Sequence, residues 1–217
     1  MSILRTRHLL PLLGAVIAGF STPAFAVDTQ LQARLNAMQV ADQAIRIEVG
    51  TITKAQREEP DAGKRFRLDA EFKVLAERMR GIDVANQQAV AEILASGWPT
   101  RATIGQTGMS DLFLIIQHAD LDFQKLHIEG VRQAALRGDI RKSNVATLED
   151  RLLVRQGRPQ LYGTQIKGSS KLTPYPIDSA ENLDKRRSEM GLEPMCAYLA
   201  NFATMFGPVE YAPCTGK

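Results

Sequence analysis

The sequence predicts a mainly α-helical single domain of about six to seven helices, with one β-hairpin near residues 159–177. Three observations predict it. Apolar residues recur at three- and four-residue steps over most of the chain between 29 and 155, and again from 182 onward. Strand-type sequence punctuated by glycine and proline is confined to the stretch from Gly157 to Asp178. After an N-terminal segment of 26 residues is set aside, 191 of the 217 residues remain, enough for one domain with a real core.

That segment reads as an export signal. MSILRTRH is a basic n-region, LLPLLGAVIAGF an apolar stretch of about twelve residues, and STPAFA ends in a small-x-small pattern, so cleavage is expected after Ala26. The apolar stretch falls short of the roughly 20 residues that span a bilayer, and no later segment approaches that length. The expected compartment is the periplasm or the exterior, with no transmembrane segment after cleavage.

Residues 29–100 carry the N-terminal helices. Leu31, Leu35, Met38, Ile45, Val49 and Ile52 form one stripe, capped by Asp28 or Thr29, and predict a helix from 29 to about 54. QREEPDAGK turns the chain. Leu68, Phe72, Leu75 and Met79 predict a second helix over 64–80, ended by Gly81, and Asp83 the cap of a third, from 84 to about 95. Residues 105–217 carry the remaining motifs. The stretch from Ser110 is apolar on nearly all sides before turning amphipathic towards Gly138, which places it in the middle of the fold. Ser143 is read as the cap of a helix running to about Arg155. QLYGTQIK and KLTPYPI, separated by GSS, make the hairpin. Asn182 then caps a short helix ending at Gly191, and Glu193 to Phe206 form the last one.

Charge points to no polyanionic partner. Removal of Arg5 and Arg7 with the signal lowers the formal +3 to +1, and the basic residues are interspersed with acids, so nucleic acid is not expected. Cys196 and Cys214 are the only cysteines, and in an oxidising compartment they are expected to form a disulfide tying the tail to the last helix. No sequence feature sets the oligomeric state.

Catalytic signatures such as GxSxG, a Walker loop, GxGxxG or HExxH do not occur, and no cofactor or metal site is expected. His118 and His127 lie nine residues apart, on opposite faces of a continuous helix. Polar residues concentrate in two places. Gln117, His118, Asp120 and Gln124 interrupt the most apolar segment. Asp150, Arg151 and the GRPQLYGTQ stretch, with Gln160, Tyr162, Gly163, Thr164 and Gln165, follow the next one. Two readings stand. In one, the groups form a buried hydrogen-bond network. In the other they line a pocket for a small polar or envelope-derived ligand, with His118 as general base or acid, Asp120 or Asp150 orienting it, Tyr162 among the catalytic groups, and Arg151 or Arg187 meeting negative charge.

QHAD at 117–120, DR at 150–151, GRPQLYGTQ at 157–165, YPID at 175–178 and RSEMGL at 187–192 together resemble the motifs of an uncharacterised bacterial family, a domain of unknown function. The resemblance covers about 117–192 in order and leaves the first hundred residues outside. It implies that His118, Asp120, Asp150, Arg151, Gln160, Tyr162, Gly163, Thr164, Gln165 and Arg187 belong to one shared feature. In that family a proline often follows QHAD and starts a new helix; Leu121 stands there in this chain.

Overall fold

The computed structural model describes residues 26–168 and 171–215. The signal-segment reading therefore lies, apart from Ala26, outside the described residues. Among them, eight helices and one two-stranded antiparallel hairpin make the mainly helical fold that the periodicity predicts.

Helix α1 (Thr29–Glu58) begins where Asp28 accepts a hydrogen bond from Leu31 N, at 2.9 Å. Helix α2 (Ala62–Ala95), capped by Asp61, packs back along it as an antiparallel hairpin. The two helices expected on either side of Gly81 are thus one. A glycine inside a helix costs about 1 kcal/mol relative to alanine, which lowers stability without forcing a break. Packing along α1 and the cross-links Arg34–Glu92, Arg78–Glu48 and Gln56–Asp69 carry α2 through that point. Asp83 accordingly caps nothing and reaches across to α1 instead.

Helix α3 (Arg101–His118) starts earlier than the apolar pattern suggests, because Thr100 and Thr103 cap it reciprocally and Gly105, at φ 70°, kinks its first turn. Its side chains Ile104, Met109, Leu112, Phe113, Ile115 and Ile116 are buried, so this segment is the centre of the core, as its all-round hydrophobicity predicts. At Ala119 and Asp120 the backbone turns extended. Asp120 accepts from Phe123 N at 2.9 Å and opens helix α4 (Leu121–Leu136) without a proline. Helix α5 (Lys142–Arg155) packs against α4; Arg141 occupies its cap position and no side chain caps it, so Ser143 lies inside the helix.

The hairpin is shorter than its sequence suggests. Strands β1 (Ile166–Lys167) and β2 (Thr173–Pro174) pair over two residues each, and a separate bridge joins Gln160 to Ile177. The chain then forms a 3-10 turn over Ala180–Asn182, helix α6 (Leu183–Glu189), helix α7 (Met195–Phe206) and the short helix α8 (Ala212–Thr215). Asn182 stands at the start of α6 without a side-chain capping bond. A smaller core of Leu183, Met195 and Leu199 holds this region together, and Cys196 and Cys214 form the expected disulfide. No helix among the described residues is long and apolar enough to cross a membrane.

Candidate functional site

A cluster of paired ionisable side chains lies between α1, α2 and the end of α3. Asp42 and Arg46 are one turn apart on the inward face of α1, and Asp42 is fully buried. Its Oδ2 lies 2.7 Å from Nδ1 of His118, the last residue of α3. The Nε of Arg46 lies 3.2 Å from each Asp42 oxygen and 2.9 Å from the same Nδ1, while one of its terminal nitrogens reaches Asp83 Oδ1 at 2.6 Å.

These distances bear on the tautomer, because Nδ1 meets both a carboxylate oxygen and the Arg46 Nε–H. A bare Nδ1 would set its lone pair against a carboxylate oxygen at 2.7 Å, whereas a protonated Nδ1 and the Arg46 N–H can both donate to Asp42. The carboxylate contact favours the proton on Nδ1, against the Arg46 Nε–H that also points at that nitrogen, and in this tautomer Nε2 is the acceptor, on a side chain 17% exposed. Burial pushes the Asp42 carboxyl up, but the bonds from His118 and Arg46 and their charges outweigh it and hold the group below the usual aspartate range. Asp83 shifts the other way: burial and the nearby Asp42 charge raise it, against the pull of Arg46. Arg46 lies between the two carboxylates, so the cluster is an ion-pair network, and among the described residues no group of His, Cys, Asp and Glu has the arrangement of a metal site.

Two arginines from α5 brace the other side. Arg151 donates to the Gln117 carbonyl at 2.9 Å and Arg155 to the Ala119 carbonyl at 3.1 Å. Both carbonyls belong to the end of α3, where orphan acceptors and the helix dipole favour cations. Burial lowers the pKa of Arg151, and repulsion from Arg155 and Arg46 adds to it. The buried Gln124 amide donates to the same two carbonyls and accepts from Arg155. Three side chains thus fix the break that carries His118.

GRPQLYGTQ is assembled differently. Asp150, fully buried on α5, accepts from the backbone N–H of Leu161, Tyr162 and Thr164 and from the Thr164 hydroxyl, at 2.7 to 3.0 Å. Burial raises its pKa, with those donors pulling against it. Gln160, also fully buried, donates to the Gln165 and Tyr175 carbonyls and accepts from Gln165 N. Gln165 donates to the Thr164 hydroxyl. The guanidinium of Arg187, wholly buried, donates to the Tyr162 and Glu193 carbonyls and stacks over Tyr198, with one terminal nitrogen unpaired among the described residues. Tyr162 lies beside a 340 Å³ surface groove with Glu149, Lys142 and Met190; burial and the adjacent Glu149 push its hydroxyl up to about 12, so it stays protonated at neutral pH. At Gly163, φ is 71° and an added Cβ would meet Met195 Sδ at 2.8 Å. Gly163→Ala is expected to lower stability by about 2 to 3 kcal/mol, read from chemical denaturation.

The predicted residues therefore fall into two groups. Gln117, His118, Asp120, Gln124 and Arg151 gather at the α3–α4 break, and Asp150, Gln160, Tyr162, Gly163, Thr164, Gln165 and Arg187 around the loop. Helix α5 joins them, with Asp150 reaching into one and Arg151 into the other. No hydrogen bond or ion pair among the described residues links His118 to Asp120, Asp150 or Tyr162; the carboxylate at its ring is Asp42. His127, on the far side of the break, packs between Phe123 and Trp98, and burial lowers its pKa.

Asp42, Arg46 and Asp83 were not visible as site residues from the motifs. One signal was available: Asp42 falls on the apolar stripe of α1, four residues after Met38 and three before Ile45, where an unpaired charge is untenable. Among proteins of curated function and among solved structures, none matches the chain. A family profile matches residues 29–208 and so takes in α1 and α2 as well as the motif-bearing region. With Asp42, Arg46, Asp83 and His118 all inside that span, the chain belongs to the family of unknown function DUF6624.

Proposed function

We propose that the protein is exported, cut after Ala26, folded as one domain over 27–217, and active on a small polar ligand derived from the cell envelope, by hydrolysis or elimination. His118 is the proton-transfer group. Its Nε2 takes a proton from water or substrate, Asp42 stabilises the imidazolium that forms, and Nε2 returns the proton to the leaving group. Arg46 and Arg151 supply the positive field for developing negative charge, a role Arg187 cannot fill while its guanidinium is buried against Tyr162 and Glu193. The supporting observation is the 2.7 Å contact between a fully buried carboxylate and His118 Nδ1, which leaves Nε2 unpaired among the described residues.

A second reading is a non-catalytic envelope protein whose polar residues hold the fold. The internally paired GRPQLYGTQ loop favours it. The two separate on one experiment, in which purified protein is incubated with envelope glycan and peptide fragments and products are followed by mass spectrometry. His118→Gln is expected to lose at least about 100-fold in turnover with little change in melting temperature. Unchanged turnover in that variant, or a wild type inert on every fragment while His118→Gln melts much earlier, supports the second reading.

A further inference from the structure

Helix α1 needs only its inward stripe for the core, yet its outward face is also patterned. Ala33, Ala37, Val40, Ala44, Ile47 and Thr51 follow one another at alternating steps of four and three, and every one is exposed, Val40 at 56% and Ile47 at 69%. That alternation is the seam of a coiled coil, sustained here over about 27 Å at 1.5 Å per residue. The Thr51 hydroxyl already donates to the Ile47 carbonyl, so covering it strands no donor. From residue 46 to 85 nothing is buried, so this arm of the α1–α2 hairpin has a core on neither helix. We propose that the outer face of α1 is a homodimer interface, occupied by α1 of a second copy running antiparallel.

Size and charge both favour that partner and direction. In the antiparallel register centred near Asp42, Ala37 meets the partner's Ile47, Ala44 meets the partner's Val40 and Thr51 meets the partner's Ala33, so each layer sets a small side chain against a larger one. Residues flanking the seam then place Arg34 beside the partner's Glu48, and Glu48 beside the partner's Arg34. Both side chains are held at the edge of the stripe by exposed pairs with Glu92 and Arg78. A parallel pair would stack Ile47 on Ile47 and alanine on alanine, and would bring Gln43 rather than a cation to the partner's Glu48. The inference is independent of the role assigned to His118.

Analytical ultracentrifugation of the purified protein over a concentration series tests it. The wild type is expected to sediment as a dimer and Ile47→Asp as a monomer, its dissociation constant raised at least about 100-fold, with unchanged helicity by circular dichroism. Ala41, at the middle of this register, is expected to cross-link its own copy when changed to cysteine and oxidised, whereas Ile47→Cys is not. A wild type that stays monomeric up to the millimolar range overturns the proposal, as does an Ile47→Asp variant that still dimerises. Cross-linking at Ile47 in place of Ala41 overturns the antiparallel register.

Discussion

Asp150→Ala is expected to destabilise the protein by about 4 kcal/mol at neutral pH, the larger of the two stability losses forecast for its ionisable groups. The residue is wholly buried, and its two oxygens accept from four donors, three of them the backbone N–H groups of Leu161, Tyr162 and Thr164. Alanine leaves those donors without acceptors, at about 1 to 3 kcal/mol for each that water cannot reach. For a domain of this size the loss corresponds to a fall in melting temperature of roughly 10 °C. Asp150→Asn retains one acceptor oxygen and sets an amide N–H against the Thr164 donors, so about half the loss is expected. Calorimetry of the two variants checks the order, and an Asp150→Ala protein as stable as wild type would show that the loop is held by other contacts.

Asp42→Asn is expected to cost about 2 to 3 kcal/mol at pH 7, because Arg46 and His118 lose the charge they converge on. The pH dependence has a definite sign. The folded-state pKa of Asp42 lies below its unfolded value, so its stabilisation is fully present above the unfolded pKa, about 3.9, and is lost as pH falls through the folded one. The stability gap between wild type and Asp42→Asn should therefore close as the pH falls below about 4. Denaturant titrations at a series of pH values measure it. A gap that stays open or widens below about pH 4 would mean that Asp42 is held protonated rather than ionised.

The helical content and the central position of the QHAD segment were legible because both rest on local periodicity. The segment leading into QHAD is apolar on every side, and the structure buries Leu112, Ile115 and Ile116 alike. The continuity of α2 was not legible, since Gly81 and Asp83 are read locally as a stop and a start, while packing on α1 and the Arg46–Asp83 pair decide otherwise. The chain break inside QHAD was not legible, because Asp120 is read there as a site residue and the cap it supplies to α4 leaves no periodic signal. The motifs single out His118, Asp150 and Arg151. They could not show that the partner of His118 comes from 76 residues earlier in the chain, because an ion pair across helices leaves no spacing to read. Asp42 was nevertheless detectable as a charge on an apolar stripe.

Long-range 1H–15N correlation spectra of His118 test the Asp42–His118 pair most directly, at a pH where the imidazole is neutral. The expected spectrum has Nδ1 protonated and Nε2 bare, with the populations redistributed in Asp42→Asn. Protonation at Nε2 in the wild type, or a spectrum that Asp42→Asn leaves unchanged, would contradict the assignment of Asp42 as the group that orients His118.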